Sequence, residues 1–231
     1  MTAKRNLKRF FAPRNVAVVG ASATKGRPGR VVIENMRANG YAGNIYPVNP
    51  RGGRLLGMKV YKNIEDLPFG IDLAIVILAA QATPQAVRDC AARKIGSIVL
   101  VAGGFAEVDH AGEDLQEELA RAARETGVRV LGPNTAGHIS TPADFTSSFF
   151  PLGKIPKGGI SYVAQTGNFT GAMMKHIMSA ENYGVSRCIG LGNTVDIDET
   201  DVFEFLASDK HTDAIFFYLE SLRRPRDFIE I

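Results

Sequence analysis

The run Gly20-Ala-Ser-Ala-Thr-Lys-Gly-Arg-Pro-Gly29 follows an apolar segment and opens a stretch of helical spacing. Glycines let a backbone approach a phosphate closely. A helix start adds unpaired N–H groups and the positive end of the dipole. Lys25, Arg27 and Arg30 supply formal charge, so the run reads as a phosphate cradle, with a tight turn carrying solvated cations as the plainer alternative. The cradle lacks the G-x-G-x-x-G spacing. The next strand ends Tyr46-Pro-Val-Asn-Pro50, with no carboxylate for a ribose diol, and both facts argue against NAD. Asn49 and Arg51 offer an amide and a cation instead, which suits an adenosine 3′-phosphate or NADP; a solvated turn is the alternative there.

Three further groups carry chemistry. Gln165-Thr-Gly-Asn168 lies between a strand and a helix, a second candidate anion site with backbone N–H groups and the Thr166 hydroxyl as donors, or else an ordinary cap. Glu220 ends the last strand, where a carboxylate is well placed for chemistry, or is simply exposed. Asp196, Asp198 and Asp201 form an acidic loop whose spacing does not match an EF-hand. N-capping and a helix-dipole role for Asp198 and Glu199 are the preferred reading, and no metal site is assigned.

These loops need a frame, and the chain has the composition for one. It has 231 residues, 45% hydrophobic and 22% charged, with a net charge of +3. That fits one large or two small globular domains and excludes collagen, coiled coil and long disorder. The mild basicity suits a small anionic ligand better than nucleic acid. Cys90 and Cys188 give neither zinc spacing nor a disulfide framework, so a reducing cytoplasm is the default location. The longest apolar run, Leu73 to Ala80, is far short of a membrane span, and the N-terminus does not read as a signal peptide.

Apolar runs at Asn15–Gly20, Asn44–Val48, Asp72–Leu78, Ser97–Val101 and Val128–Leu131 read as strands. Helices are expected over Gly29–Asn39, from an N-cap at Thr83 with Pro84 first in the helix to about Lys94, and over Glu113–Glu125. This is a parallel α/β order, in which ligands bind at the carboxyl ends of strands. Residues Ile139 to Lys157 read as an irregular linker. A second series follows, with strands Gly159–Ala164, Arg187–Gly190 and Asp213–Leu219, helices Phe169–Tyr183 and Glu199–Ser208, and a helix begun near Arg223. Three strands are fewer than the usual five or so of a doubly wound domain, which suggests the front of a larger protein.

Five segments recur together in one family: Val18-Val-Gly-Ala-Ser22, Gly40-Tyr-Ala-Gly-Asn-Ile-Tyr-Pro-Val-Asn-Pro50, Ala102-Gly-Gly-Phe-Ala-Glu107, Val130-Leu-Gly-Pro-Asn134 and Val163-Ala-Gln-Thr-Gly-Asn-Phe169. In this order the chain resembles the α-type part of NDP-forming acyl-CoA synthetases, which include the ADP-forming acetate–CoA ligases and, more distantly, the succinyl-CoA synthetase α subunit. The resemblance implies a Rossmann-like CoA-binding domain over 1–140, a linker over 141–157, and a flavodoxin-like, succinyl-CoA-ligase-type domain over 158–231 that is incomplete at its C-terminus.

By that resemblance Gly20, Ala21, Ser22 and Lys25 hold the phosphates of CoA or acyl-CoA, with Arg30 adding charge, and Asn49, Pro50 and Arg51 sit near its adenosine. Ala79, Ala80 and Gln81 line the pantetheine, and Gly103, Gly104, Phe105, Pro133 and Asn134 approach the thiol and the acyl group. Gln165, Thr166, Gly167 and Asn168 bind the transferred phosphate, and Glu220 hydrogen-bonds a phosphohistidine. The implied reaction converts acyl-CoA, phosphate and ADP to acid, CoA and ATP through acyl phosphate and phosphohistidine. Mg-ADP and ATP belong to an ATP-grasp β-type part joined in cis or trans. An oligomer is implied, without nucleic acid or membrane.

Two departures qualify the resemblance. Relatives often read Gly-Pro-Asn-Cys where this chain has Thr135, which implies a changed acyl pocket. None of the four histidines, His110, His138, His176 and His211, lies in the glycine-rich loop a phosphohistidine needs. His138, nearest the acyl end, is the reserve candidate. Two other functions stay open: a CoA- or acyl-CoA-binding regulatory module, for instance of an acyltransferase, and an NADP-dependent reductase.

Overall fold

The computed structural model describes residues 7–167, 171, 174–176, 179 and 183–231. The expected Phe169–Tyr183 helix and Asn168 fall largely or wholly outside them. Strands β1 (Asn15–Val19) and β2 (Asn44–Val48) are followed by a small hairpin of β3 (Arg54–Leu55) and β4 (Met58–Lys59), then by β5 (Leu73–Val76), β6 (Ser97–Leu100) and β7 (Arg129–Leu131). The first sheet runs β2-β1-β5-β6-β7, every pair parallel. All residues of β5 and β6 are buried, as strands covered on both faces must be.

Helices α1 (Lys8–Phe11), α2 (Pro28–Asn39), α3 (Thr83–Ala92) and α4 (His110–Thr126) accompany this sheet. α2 and α4 stop at Gly40 and Gly127, both left-handed, as helix-ending glycines do. Two expected helix starts are corrected. A 3₁₀ turn, Ala80–Ala82, runs straight into α3, so Thr83 is already helical and its hydroxyl donates to Ala80 O at 2.7 Å. α4 starts three residues before the expected Glu113, because Asp109 caps it by accepting from Gly112 N at 2.8 Å.

The stretch read as irregular contributes two strands. β8 (His138–Ser140) and β9 (Phe145–Thr146) precede β10 (Lys157–Ala164), β11 (Val185–Gly190) and β12 (Ala214–Tyr218). The second sheet runs β12-β10-β11-β8-β9. The three expected strands, β10, β11 and β12, are parallel; β8 pairs antiparallel to β11, and β9 to β8. The sheet therefore has five strands rather than three. Two strands of two or three residues, rich in hydroxyls, leave no apolar run to read. Helices α5 (Glu199–Ala207) and α6 (Pro225–Ile229) complete the described elements. Among the described residues no helix is long and apolar enough to cross a membrane.

The two sheets are stitched together. The backbone N–H groups of Asn193, Val195 and Ile197 donate to Pro133 O, Gly132 O and Val130 O, closing the outer edge of β7. Arg129 of β7 reaches Asp196 at 2.7 Å and Asp201 at 2.6 Å. From α2, Asn39 donates to Gly153 O at 2.8 Å and accepts from Ile155 N at 3.0 Å.

Candidate active site

The strand order sets the site. Five carboxyl-end loops stand in the sequence Asn49, Gly20, Ala79, Gly103, Pro133 across the first sheet. At the usual inter-strand spacing they form a row of about 19 Å.

At one end a small pocket of about 90 Å³ is lined by Ala21, Ser22, Asn49 and Arg51, with Thr24 and Arg54 beside them. Gly20 (φ +91°) has no room for a side chain, since a Cβ would lie 2.0 Å from Ile77 O. Gly29 at the start of α2 is equally tight, a Cβ there lying 2.2 Å from Gly20 O. The glycines therefore let the helix start press against the strand end. The N–H groups of Gly20 and Ala21 both donate to Val48 O, so the donors of the cradle lie from Ser22 onward. The Asn49 amide donates to Ala21 O at 2.7 Å, and its oxygen accepts from Arg51 N at 3.0 Å. Asn49 thus shapes the pocket. Lys25 is exposed, and Lys25, Arg30 and Pro50 are not on the pocket wall. Arg30 is held by Glu34 at 2.6 Å and by Ala23 O at 3.1 Å.

The middle of the row is continuous. Ala79 precedes the 3₁₀ turn containing Ala80 and Gln81, and Ala80 Cβ is 3.6 Å from where a Gly104 Cβ would lie. A Cβ on Gly103 would stand 3.1 Å from Asn134 Oδ1 and 3.2 Å from Glu107 Oε1. Phe105 is fully buried, and its backbone N–H is taken by Glu107.

The row ends in a cleft of about 590 Å³ that joins the two sheets. Asn134, Gln165, Thr166, Gly167 and Glu220, read from separate segments, all line it. Gln165 is a structural clamp: its Oε1 accepts from Glu220 N at 2.5 Å and Ser221 N at 2.9 Å, while its Nε2 donates to Ser221 O at 2.9 Å. The glutamine fixes the segment that carries Glu220, and Thr166 and Gly167 beside it line the cleft.

Glu107 and Asn193 also line the cleft, and neither is singled out by sequence. Glu107 Oε1 accepts from Gly104 N at 2.6 Å and Phe105 N at 3.2 Å, and its Oε2 accepts from Asn193 Nδ2 at 2.6 Å. Partial burial pushes this carboxyl up, but the bonds from Asn193, Gly104 and Phe105 outweigh it and hold the group below the usual carboxylate range. Asn134 sits at φ +57° and donates to Asn193 Oδ1 at 3.3 Å. The signal for Glu107 lies in its spacing: a carboxylate three residues after Gly104 can gather that loop's own N–H groups.

Thr135 lines the cleft, but its hydroxyl donates to Gly190 O at 2.5 Å and accepts from Gly137 N at 3.0 Å. It ties the β7 loop to the end of β11. Cys90 and Cys188 are buried, with their thiols pushed up to about 12, and neither lines the cleft.

His138 is excluded as reserve nucleophile. It is fully buried among Phe10, Phe11 and Phe145. Its Nε2 donates to Phe10 O at 2.6 Å and its Nδ1 accepts from the Ser147 hydroxyl at 2.8 Å. Burial lowers its pKa to about 4; Arg187 adds to this, and the Phe10 carbonyl opposes it. The carboxylates of the acidic loop are held by arginines. Asp198 caps α5 through Asp201 N at 3.0 Å, as expected, and accepts from Arg224 at 2.8 and 2.5 Å. Asp201 binds both Arg129 and Arg224 at 2.6 Å. Glu199 is buried and accepts from Arg223 N at 2.6 Å. Among the described residues no three metal-ligating side chains converge.

Residues 14–140 match the family model described as a CoA binding domain, and residues 157–231 match the succinyl-CoA ligase like flavodoxin domain. The chain is 37% identical over 227 residues to an acetate–CoA ligase (ADP-forming) II of Archaeoglobus fulgidus, covering 98% of this chain and 34% of that protein. It is 34% identical over 230 residues to the alpha subunit of acetate–CoA ligase (ADP-forming) I of Pyrococcus furiosus, covering 98% of this chain and 49% of that one. The solved structure of a dinucleotide-forming acetyl-coenzyme A synthetase 1 of Ca. Korarchaeum cryptofilum, in complex with phosphate and ADP, matches with a TM-score of 0.92 at 34% identity, covering 97% of this chain and 48% of that one. The chain thus spans a third to a half of the length of these relatives. With one family model over more than half its length and the second following in the same order, the chain belongs to the NDP-forming acyl-CoA synthetase family, as its α-type part.

Proposed function

We propose that this chain is the CoA- and phosphate-binding portion of an ADP-forming acid–CoA ligase. The observation that carries the reading is the cleft in which Asn134 of the first sheet meets Thr166, Gly167 and Glu220 of the second. CoA lies along the row of strand ends. Its phosphates meet the loop from Ser22 onward with Lys25 nearby, its adenosine end meets Asn49, Pro50 and Arg51, and its pantetheine passes Ala79, Ala80 and Gln81 toward Gly103 and Gly104. The thioester carbonyl arrives beside Asn134. A phosphate oxygen held by Thr166 and Gly167 attacks that carbonyl. A P–O–C bond forms, the C–S bond breaks, and the CoA thiolate leaves with acyl phosphate in the cleft. The backbone N–H of Gly103 and the amide of Asn134 stabilise charge on the carbonyl oxygen.

Glu220 is the partner of a histidine contributed from outside the described residues. A carboxylate on the far ring nitrogen fixes the tautomer and raises the nucleophilicity of the other. That histidine takes the phosphoryl group and delivers it to Mg-ADP in an ATP-grasp β-type part, in cis or trans. The two unpaired, buried cysteines suit a reducing cytoplasm.

The test is an ATP assay on the full-length protein with acyl-CoA, phosphate, ADP and magnesium. ATP should form only when all are present, and this 231-residue chain by itself should form none. Glu220→Gln should lower the rate by about a hundredfold, the usual range for a lost acid–base partner. Intact CoA binding without thioester-dependent ATP would favour a regulatory acyl-CoA-binding module instead.

A further inference from the structure

The cleft has an apolar side that none of the groups assigned above uses. Phe149 and Phe150 both line it, next to Ala136 and Val101. Their rings are stacked, with centroids 4.8 Å apart and planes at 27°. Phe149 packs onto the large core cluster that includes Val32, Ile33 and Met36, and Phe150 onto the smaller one around Ile139 and Met174. The Phe150 ring sits against Gly171, where a Cβ would lie 2.9 Å from its Cζ. These rings are therefore fixed from behind.

The backbone beneath them is fixed as well. Asn35, only 4% exposed, donates to Ser148 O at 2.8 Å and Phe150 O at 2.6 Å. A buried amide is costly unless its protons are used, and Asn35 uses both to hold the 148–150 segment. It belongs to α2, the helix whose first turn meets the Gly20 loop. One helix thus borders the Gly20 loop at its start and anchors the aromatic wall about two turns further on.

A methyl group would touch little of such a wall, whereas a ring or a branched chain would cover it. We propose that Phe149 and Phe150 form the specificity-determining wall of an acyl subsite, and that the acid carried is one with an aryl or branched apolar group, larger than acetate. Asn35 is the positioning residue of that wall. The inference rests on the reading that the cleft handles acyl-CoA. One added methylene in an apolar pocket changes selectivity by about ten- to two-hundredfold, and the pair of rings offers more surface than one methylene needs.

The full-length protein titrated calorimetrically with CoA, acetyl-CoA, isovaleryl-CoA and phenylacetyl-CoA decides the matter. The two larger thioesters should bind at least about tenfold more tightly than acetyl-CoA. Phe149→Ala and Phe150→Ala should each bring that ratio toward one. Asn35→Ala should move the ratio in the same direction, and the kcat/KM ratio for the same thioesters should follow, which a purely structural role would not produce. Phe150→Leu, which keeps the bulk but loses the ring, provides a readout at an intermediate ratio if the smaller variants fail to fold. CoA binding with all three thioesters equal in the wild type would overturn the acyl assignment alone. Absence of binding by CoA and by every thioester would overturn the underlying reading, and the acyl assignment with it.

Discussion

After β1 and β2, the loops leave Lys25 and Arg51 exposed beside a small pocket, and Gly20 and Gly29 serve close approach of backbone. After β10, the loop's glutamine is bound by both ends to residues 220 and 221. The neighbouring acidic loop has its aspartates bound to Arg129 and Arg224. The first region keeps the cations Lys25 and Arg51 exposed around a backbone turn that Asn49 shapes. The second uses most of its polar side chains to hold one carboxylate, Glu220, and two loop residues, Thr166 and Gly167, at the cleft. In one region cations at strand ends stay exposed, and in the other polar side chains at strand ends are bonded into the scaffold.

The comparison breaks most readily at Arg129. Its guanidinium faces Asp196 and Asp201, and the Asp201 side chain is only 6% exposed. Arg129→Ala takes one of two arginines from Asp201 and the arginine from Asp196, and should cost about 3 kcal/mol in urea unfolding. Added magnesium or calcium should not restore the loss; restoration would reassign the loop as a cation site.

The next effect is pH-dependent and belongs to the packing around His138. Its folded pKa of about 4 lies below its usual value near 6.5. The unfolded chain therefore binds the proton more readily, and stability falls as pH drops from about 6.5 to about 4, by roughly 3 kcal/mol in all. His138→Gln should flatten that part of the profile. An unchanged slope would mean that the imidazole accepts a proton in the fold.

Smaller effects sharpen the first region. Gly20→Ala forces a side chain into a left-handed position against Ile77 O and should cost about 1–3 kcal/mol, with a larger fractional loss of CoA affinity than of stability. Lys25→Ala, at an exposed position, should weaken CoA binding about fivefold, near 1 kcal/mol, with no change in the unfolding midpoint. Equal affinity would remove Lys25 from the phosphate contacts.

The parallel strands were legible because β1, β5, β6 and β10 are apolar runs bounded by glycine or polar residues. The Asp198 cap was legible for the same local reason. β8 and β9 were not, since they are short and polar and β8 pairs with a strand far along the chain, Ser140 with Arg187. The role of Asn35 was equally hidden: its partners lie 113 and 115 residues away. Thr83 misled because a helix can begin by extending a 3₁₀ turn, and then a threonine bonds backward instead of capping. The loops that line the cleft were legible as strand ends. Glu107 and Asn193 were missed because they act across the junction of the two sheets, a contact 86 residues apart.

The central claim is that the row of strand ends on the first sheet is a CoA site leading into the cleft. It is tested most directly by titrating the protein with CoA and, separately, with NADP in a calorimeter. Saturable one-to-one binding of CoA, weakened by Lys25→Ala, with no heat from NADP, is the predicted result. Binding of NADP with CoA silent would contradict it.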